Sequence, residues 1–287
     1  MNSCYFVSDL HGHISRYLKL FEKILVEEPA AVFIGGDLLP HGLDWQSRSG
    51  SAPSDFIRDF LVVEFSKLQM ILQQAYPRVF VIPGNDDGRW PEAAFIEAAS
   101  GNIWQYIPND KVEWGERPVY GYAYVPPTPF QLKDWDRYDV SRYVDHGCVS
   151  PEDGIYSVPV PDHDKRYATI HGDLERLTGS QQLDRAIFLF HTPPYQTALD
   201  RLSRNPRVVD HAPLDVHGGS VAVRRFIENR QPCITLHGHI HESVSITGSW
   251  KEQIGRTHAF SAAHDGPELA LIRFSPESPE NATRELI

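Results

Sequence analysis

Apolar and polar positions divide the chain into recognisable elements. "CYFVSD", at residues 4–9, is an apolar run that turns polar at its end, the pattern of a short buried strand. In "ISRYLKLFEKILVEEP" the residues Leu18, Phe21 and Leu25 recur at helical spacing, and Pro29 stops the helix. "AAVFIGGD" is a second buried strand. "LLPHGLDWQSRSGSAPS" is a loop by its Gly, Ser and Pro content. "DFIRDFLVVEFSKLQMILQQAYP" reads as one long amphipathic helix over 55–77, and "RVFVIPGN" as a third strand. Strand, helix, strand, helix, strand at this spacing predicts parallel βαβ units.

The pattern changes near residue 102. "NIWQYIPNDKVEWGERPVYGYAYVPPTPF" has short alternating segments rich in Trp, Tyr and Pro, which predict strands followed by irregular chain. "RAIFLFH" returns to a buried strand, "VHGGSVAVRRFIENRQP" is a helix and "CITLHGH" another strand. "SVSITG", "THAFSAA" and "ELALIRF" then predict three short strands. No repeat and no linker separates domains. The expectation is one domain over 1–275, with an irregular aromatic and Pro-rich insertion or cap at about 104–170 and a loose tail over 276–287.

The buried strands share one property: each delivers polar chemistry at its carboxyl end. "FVSDLHGH" delivers Asp9 and His11, "VFIGGD" Asp37, "VFVIPGND" Asn85, "IFLFH" His191, and "ITLHGHIH" His239 and His241. Sites in open α/β sheets form at these ends. Five such ends together point to a metal site rather than to solvated turns. In "TLHGHIHES" the residues His237, His239 and His241 alternate, so an extended backbone would send all three to one side. Neutral imidazole is the commonest metal ligand. Gly36, Gly84 and Gly238 each precede a proposed ligand, where a missing Cβ lets the backbone turn tightly and approach a bound group.

Composition narrows the partners. Of 287 residues, 41% are hydrophobic and 23% charged, which is ordinary globular usage with a sizeable core. The net charge of −11 argues against a nucleic-acid polymer, whose binding needs cationic patches. No apolar run is long enough to span a membrane. The start, "MNSCYFVSDLHGH", carries no basic leader, and three scattered cysteines fit a reducing compartment, so a cytoplasmic location is expected.

The ordered blocks Asp9-Leu10-His11, Gly36-Asp37, Gly84-Asn85, His191 and Gly238-His239-Ile240-His241 resemble the signature of the calcineurin-like metallophosphoesterase family. "GGDLLP", "PPTPF", "HTPPY" and "GHIHES" are similar to a bacterial-type branch of it. The resemblance implies an α/β fold, a four-layer αββα sandwich of two mixed β-sheets flanked by helices. It also implies two divalent metal ions. Asp9, His11 and His241 would hold the first, Asn85, His191 and His239 the second, and Asp37 would bridge them. Mixed Asp, His and Asn ligands suit Mn²⁺, Fe or Zn²⁺. Two such ions with Asp9, Asp37 and a bridging hydroxide keep about one positive charge, which favours in-line attack of the hydroxide on a phosphate ester. His237 precedes the motif and is expected to pack in its strand or support the ligands.

One position departs from the pattern. Many relatives carry a histidine directly after Gly-Asn that can protonate the leaving group. This chain reads "GNDDGRW", with Asp86 in that place. An aspartate beside cationic metals stays ionised and is a poor proton donor. His13 is the alternative donor, against a plain role at the start of the first helix. Asp87 is expected to orient a ligand or loop through hydrogen bonds. His171 and Asp173 of a second Gly-Asp, in "TIHGDLERLTG", read as structural. "DWDRYDVSRY" either covers the site or packs as a cap, and Arg89 and His41 are candidates for substrate contact. The expected activity is hydrolysis of small phosphodiesters or activated phosphomonoesters, with Asp37, Asn85, Asp86 and His13 as the catalytic set. The competing readings are a protein phosphatase, or a metal-stabilised binding protein whose turnover Asp86 has reduced.

Overall fold

The computed structural model describes residues 3–40, 55–205, 208–209 and 211–287. The loop expected over 38–54, His41 included, therefore lies mostly outside the described residues. β1 (Cys4–Val7) leads to α1 (Ile14–Glu27) and β2 (Ala31–Gly35). A π-helical turn (Phe56–Leu61) runs into α2 (Val62–Leu72) and a 3-10 turn (Gln73–Ala75), followed by β3 (Arg78–Ile82). α3 (Glu92–Ser100), β4 (Gln105–Tyr106), β5 (Asn109–Trp114) and β6 (Arg117–Tyr122) come next. After an irregular stretch come α4 (Asp162–Tyr167), α5 (Ile170–Thr178) and β7 (Ile187–Phe190). A small ladder, β8 (Val208–Val209) with β9 (Ala212–Pro213), precedes α6 (Val221–Arg230), β10 (Ile234–His237) and α7 (Ser243–Thr247). β11 (Lys251–Ile254), β12 (Thr257–Ser261), β13 (Ala270–Phe274) and β14 (Thr283–Leu286) complete the chain.

Two six-stranded sheets result, ordered β14-β13-β1-β2-β3-β4 and β11-β12-β10-β7-β6-β5. Both are mixed. β1 to β4 run parallel while β13 and β14 pair antiparallel at one side. β12, β10, β7 and β6 run parallel, with antiparallel β11 and β5 at the edges. The alternation of side chains explains how each sheet is covered. Tyr5, Val7, Val32 and Ile34 belong to the core that packs on α1, α2 and α3, while Cys4, Phe6 and Phe33 belong to the core that holds the second sheet. Phe274 of the first sheet meets Phe260 of the second at 5.9 Å. On the far side Phe226 of α6 meets Phe188 at 5.0 Å, edge to face. The expected αββα sandwich is therefore the fold.

Several elements differ from expectation. The helix over 55–77 is broken into π, α and 3-10 segments. α3 was not expected. "SVSITG", read as a strand for its β-branched residues, is the helix α7. Ser243 Oγ donates to Ala198 O at 2.7 Å, and Gly248 in the left-handed region ends the turn by donating its N–H to Val244 O at 2.8 Å. The tail expected to be loose ends in β14, held antiparallel on β13. Its charged residues mark a solvated edge strand, and Arg273 pairs with Glu285 at 2.7 Å across the ladder. The insertion begins later than residue 104, because β4, β5 and β6 belong to the two sheets.

Candidate metal centre

The ligand candidates stand where the strands stop. After β1 the chain turns through Asp9, His11 and Gly12, all at positive φ, and after β2 through Gly36 and Asp37, also at positive φ. His239, after β10, is at φ 72°. Non-glycine residues pay for this backbone region, and such strain gathers at functional sites. The two turns support each other: Asp9 N donates to Gly36 O at 2.9 Å and His11 N to Asp37 O at 2.7 Å. Arg16, buried on α1, locks the first turn by donating to Asp9 O at 2.7 Å. Nothing in the sequence marked Arg16; it is a cation on the otherwise apolar face of α1.

Close approach explains the glycine at 84. A Cβ there would lie 2.2 Å from Asp37 Oδ1 and 2.6 Å from His191 Nε2. Asp87, fully buried, accepts N–H bonds from Leu38 at 3.0 Å, Leu39 at 2.8 Å and Gly84 at 2.9 Å. It thereby fixes the loop after Asp37 against the loop after β3, the orienting role expected of it. Burial, then the negative charge of Asp37, pushes its pKa up to about 7, against the pull of those three donors.

These turns bring two groups together. Asp9, His11, Asp37 and His241 form one, and Asp37, His191 and His239 the other, with ligand atoms in each group within 4.8 Å of one another. Asp37 belongs to both. His11 Nε2 stands 3.2 Å from His241 Nε2, and His241 Nε2 3.2 Å from Asp9 Oδ1. His191 Nε2 stands 3.3 Å from Asp37 Oδ2 and 3.2 Å from Asn85 Oδ1. Asp9 Oδ2 is buried with no hydrogen-bond partner among the described residues.

Electrostatics favours a cation here. Burial opposes ionisation of Asp9, yet His241 beside it holds its pKa at about 2. Burial likewise opposes charge on His191 and His241, but Asp37 and Asp9 respectively draw positive charge to them, with pKa values pushed up to about 10 and about 9. Desolvation and the nearby His191 keep His239 neutral, its pKa down to about 3. His191 Nδ1 lies 2.7 Å from Gly35 O, an atom that can only accept, so Nδ1 keeps its proton and Nε2, facing Asp37, is the atom that would give up its proton to a bound cation.

The remaining candidates separate. Asp86 borders the first group, its Oδ2 at 3.6 Å from His11 Nδ1. Its backbone N–H donates to Asp37 Oδ1 at 2.9 Å, and its Oδ1 accepts from Asn85 Nδ2 at 2.9 Å, which turns the Asn85 carbonyl oxygen toward His191. His13 is the exposed N-cap of α1 and belongs to neither group. His237 is not convergent with the others, because β10 ends at it and Gly238 and His239 turn the chain. It is buried, stacks on Phe190 at 5.6 Å, and bonds Thr192 O at 2.9 Å and Thr235 Oγ1 at 2.8 Å. Asp173 is buried in α5, accepts from Tyr122 Oη at 2.9 Å and pairs with Arg137 at 3.2 Å; His171 is exposed. Neither belongs to the two ligand groups.

Two mixed sheets thus present Asp and His at neighbouring strand ends, in two candidate ligand groups that share Asp37. The match of residues 3–243 to the family model described as calcineurin-like phosphoesterase places the chain in that family. Its members are metallophosphoesterases, hydrolytic enzymes that use dinuclear divalent metal centres, and this chain carries candidate ligand groups for such a centre. Solved structures repeat the fold at low identity. A protein of Thermus thermophilus is 14% identical with a TM-score of 0.54, over 99% of this chain and 98% of its own. A dimetal phosphatase from Danio rerio is 11% identical with a TM-score of 0.51, over 94% of this chain and 91% of its own. No curated protein sequence matches the chain significantly. Among the described residues no helix is long and apolar enough to cross a membrane.

Proposed function

We propose that the chain hydrolyses small phosphate esters, diesters before monoester dianions, at a two-metal centre. Asp9, His11 and His241 would hold one ion, Asn85, His191 and His239 the other, and Asp37 both. The carrying observation is that Asp37 is common to two convergent groups of ligand atoms. The buried, unpartnered Asp9 Oδ2 fits the same reading. The oxygen and imidazole donors, with no thiolate, suit Mn²⁺, Fe or Zn²⁺. When bound, such ions supply Lewis acidity and an activated water for in-line attack on phosphorus.

The chain's own residues supply orientation. Gly35 O fixes the tautomer of His191, Arg16 fixes the Asp9 turn, and Asp86 fixes the amide of Asn85. Asp86 accepts hydrogen bonds and carries negative charge, so it repels a dianionic monoester more than a diester and donates no proton. A diester or an activated ester, whose leaving group needs little protonation, meets that restriction. A net charge of −11 favours a small ester over a nucleic-acid polymer. The thiols of Cys148 and Cys233, outside any disulfide, suit a reducing, cytoplasmic setting.

The test is hydrolysis of bis-p-nitrophenyl phosphate beside p-nitrophenyl phosphate by protein stripped of metal and restored with Mn²⁺. The expected result is Mn²⁺-dependent turnover with the diester faster. Two bound metals without turnover of either ester would instead identify a binding protein.

A further inference from the structure

A cavity of about 420 Å³ lies between α7 and the loops that follow β7 and β9, within the size range of small-molecule pockets. Thr197, Arg201, Arg204, His217, Ile246 and Thr247 line it. None of the candidate metal ligands does, so the cavity is separate from the metal centre. Among the described residues neither guanidinium pairs with a carboxylate. Arg201 donates to His217 Nε2 at 3.4 Å and to the carbonyls of Ser203 and Arg204 at 3.2 Å, and Arg204 donates to Ser245 O at 3.3 Å. Each side chain has five N–H groups, so both keep donors for a ligand.

The cationic wall is supported from inside. Asp200 is fully buried and accepts N–H bonds from Gln196 at 2.9 Å, Thr197 at 2.9 Å and Gly219 at 3.2 Å. His217 Nδ1 donates to it at 2.7 Å. An ionised carboxylate only accepts, so the Nδ1 proton is fixed and Nε2 is the ring atom left to face Arg201. Arg201 N donates to Ser243 Oγ at 3.0 Å, which ties the same residue to α7. Asp200 thus positions Arg201 through His217, while its own charge is met by these four donors.

The α7 side of the cavity has a different character. Thr247 Oγ1 gives its one proton to Ala198 O or Ser243 O, at 2.9 and 2.8 Å, so toward a ligand it only accepts. Ile246 beside it adds a small apolar surface. The cavity therefore joins two guanidinium charges to a hydroxyl acceptor and an apolar patch.

We propose that this cavity binds a hydroxylated phosphomonoester dianion of the sugar-phosphate type, at a site independent of the metal centre. Two guanidinium groups without a carboxylate match a dianion, and a guanidinium donates parallel N–H bonds to phosphate oxygens. A ligand hydroxyl donates to Thr247 Oγ1, and Ile246 covers part of the carbon skeleton. A neutral sugar leaves the two charges unmatched, and inorganic phosphate leaves Thr247 and Ile246 without a partner. In a chain of net charge −11 the general field repels anions, so binding depends on this local pair.

The experiment is calorimetric titration of metal-stripped protein with D-ribose 5-phosphate, inorganic phosphate and D-ribose, in about 0.1 M NaCl to screen long-range attraction. Wild type is expected to bind one D-ribose 5-phosphate per chain, inorganic phosphate at least tenfold more weakly, and D-ribose not at all. Arg201→Gln and Arg204→Gln should each weaken D-ribose 5-phosphate at least tenfold. Arg185→Gln removes an exposed arginine at the opposite, amino end of β7 and should change binding less than twofold. Arg204 is exposed and makes a single main-chain bond, so its variant covers the case in which Arg201→Gln fails to fold. Absence of binding in wild type, or binding that Arg204→Gln leaves unchanged, would overturn the proposal. Equal affinity for D-ribose or for inorganic phosphate would overturn the assigned ligand class, and an equal loss in Arg185→Gln would reduce the site to general charge attraction. The readout needs no turnover, so its outcome is separate from that of the phosphoesterase reading.

Discussion

The chain contains Gly-Asp at 36–37 and again at 172–173, and the two pairs do different work. At the first, β2 has just ended, both residues are at positive φ, and the carboxylate faces His11 and His191. At the second, the pair lies in the first turn of α5, where Thr169 caps the helix through Gly172 N and Asp173 is neutralised by Arg137 and Arg176. Both aspartates are buried. The difference lies in what surrounds them: imidazoles, which can release a proton to become ligands, in one case, and guanidinium groups, which cannot, in the other. A buried carboxylate among permanent cations is already satisfied, whereas one among histidines and a second carboxylate is a donor set that a metal would complete.

Removing each charge gives the largest test of that contrast. Asp37→Asn is expected to lower turnover by about 10³, or about 4 kcal/mol of transition-state stabilisation, and to reduce bound metal. Asp173→Asn should leave metal stoichiometry and bis-p-nitrophenyl phosphate turnover intact. Its cost is stability, about 2–3 kcal/mol, below that of a fully enclosed pair because Arg137 and Arg176 both reach solvent. Steady-state rates, metal analysis and guanidinium unfolding of both variants decide the matter. Loss of metal from Asp173→Asn would erase the distinction.

The preceding glycines sharpen it. At Gly36, φ is +99° and a Cβ would sit 2.5 Å from His191 Nδ1, the atom that bonds Gly35 O. Gly36→Ala should therefore cost about 3 kcal/mol from strain and overlap, and should empty the metal position that depends on His191. At Gly172 the nearest atom to a Cβ is Thr169 Oγ1 at 3.2 Å, and alanine is the better helix former by about 1 kcal/mol. Gly172→Ala is expected to stay within about 1 kcal/mol of wild type, with metal content unchanged. Unfolding midpoints and metal analysis check both.

The same contrast shows what was legible in the sequence. The parallel strands were readable because they are buried on both faces and therefore apolar without interruption, as in "FVSD" and "IFLF". The ligand candidates were readable because each follows such a strand directly. The helix α7 and the strand β14 were not. α7 is made of residues with strand propensity and is set by tertiary bonds from Ser243 and Thr247 to Ala198 O. β14 is polar because it forms a sheet edge, so its composition matches a solvated tail. Arg16 was missed for another reason: its role depends on a partner distant in sequence, Gly266 O.

The histidines of "TLHGHIHES" carry the comparison down to a single segment. Alternation suggested that His237, His239 and His241 share a side, but the turn at Gly238 separates them. Burial pushes the pKa of His237 down to about 4, with Thr192 O pulling weakly the other way, whereas Asp9 holds that of His241 up to about 9. The ordinary value is about 6.5. Between pH 6.5 and 4 the unfolded chain therefore binds a proton at His237 that the folded chain does not. Stability rises with pH across that window and is lost as pH falls from about 6.5 to about 4. At pH 5 the loss is about 2 kcal/mol. His237→Gln keeps a donor for Thr192 O and removes the titration. Metal-stripped wild type should thus lose about 2 kcal/mol relative to this variant between pH 7.5 and pH 5, measured by guanidinium unfolding at each pH. The histidines of the centre titrate in both proteins and cancel in the difference. A difference that does not change with pH would mean that the folded chain accepts the proton at His237, and that the packing on Phe190 does not hold it neutral.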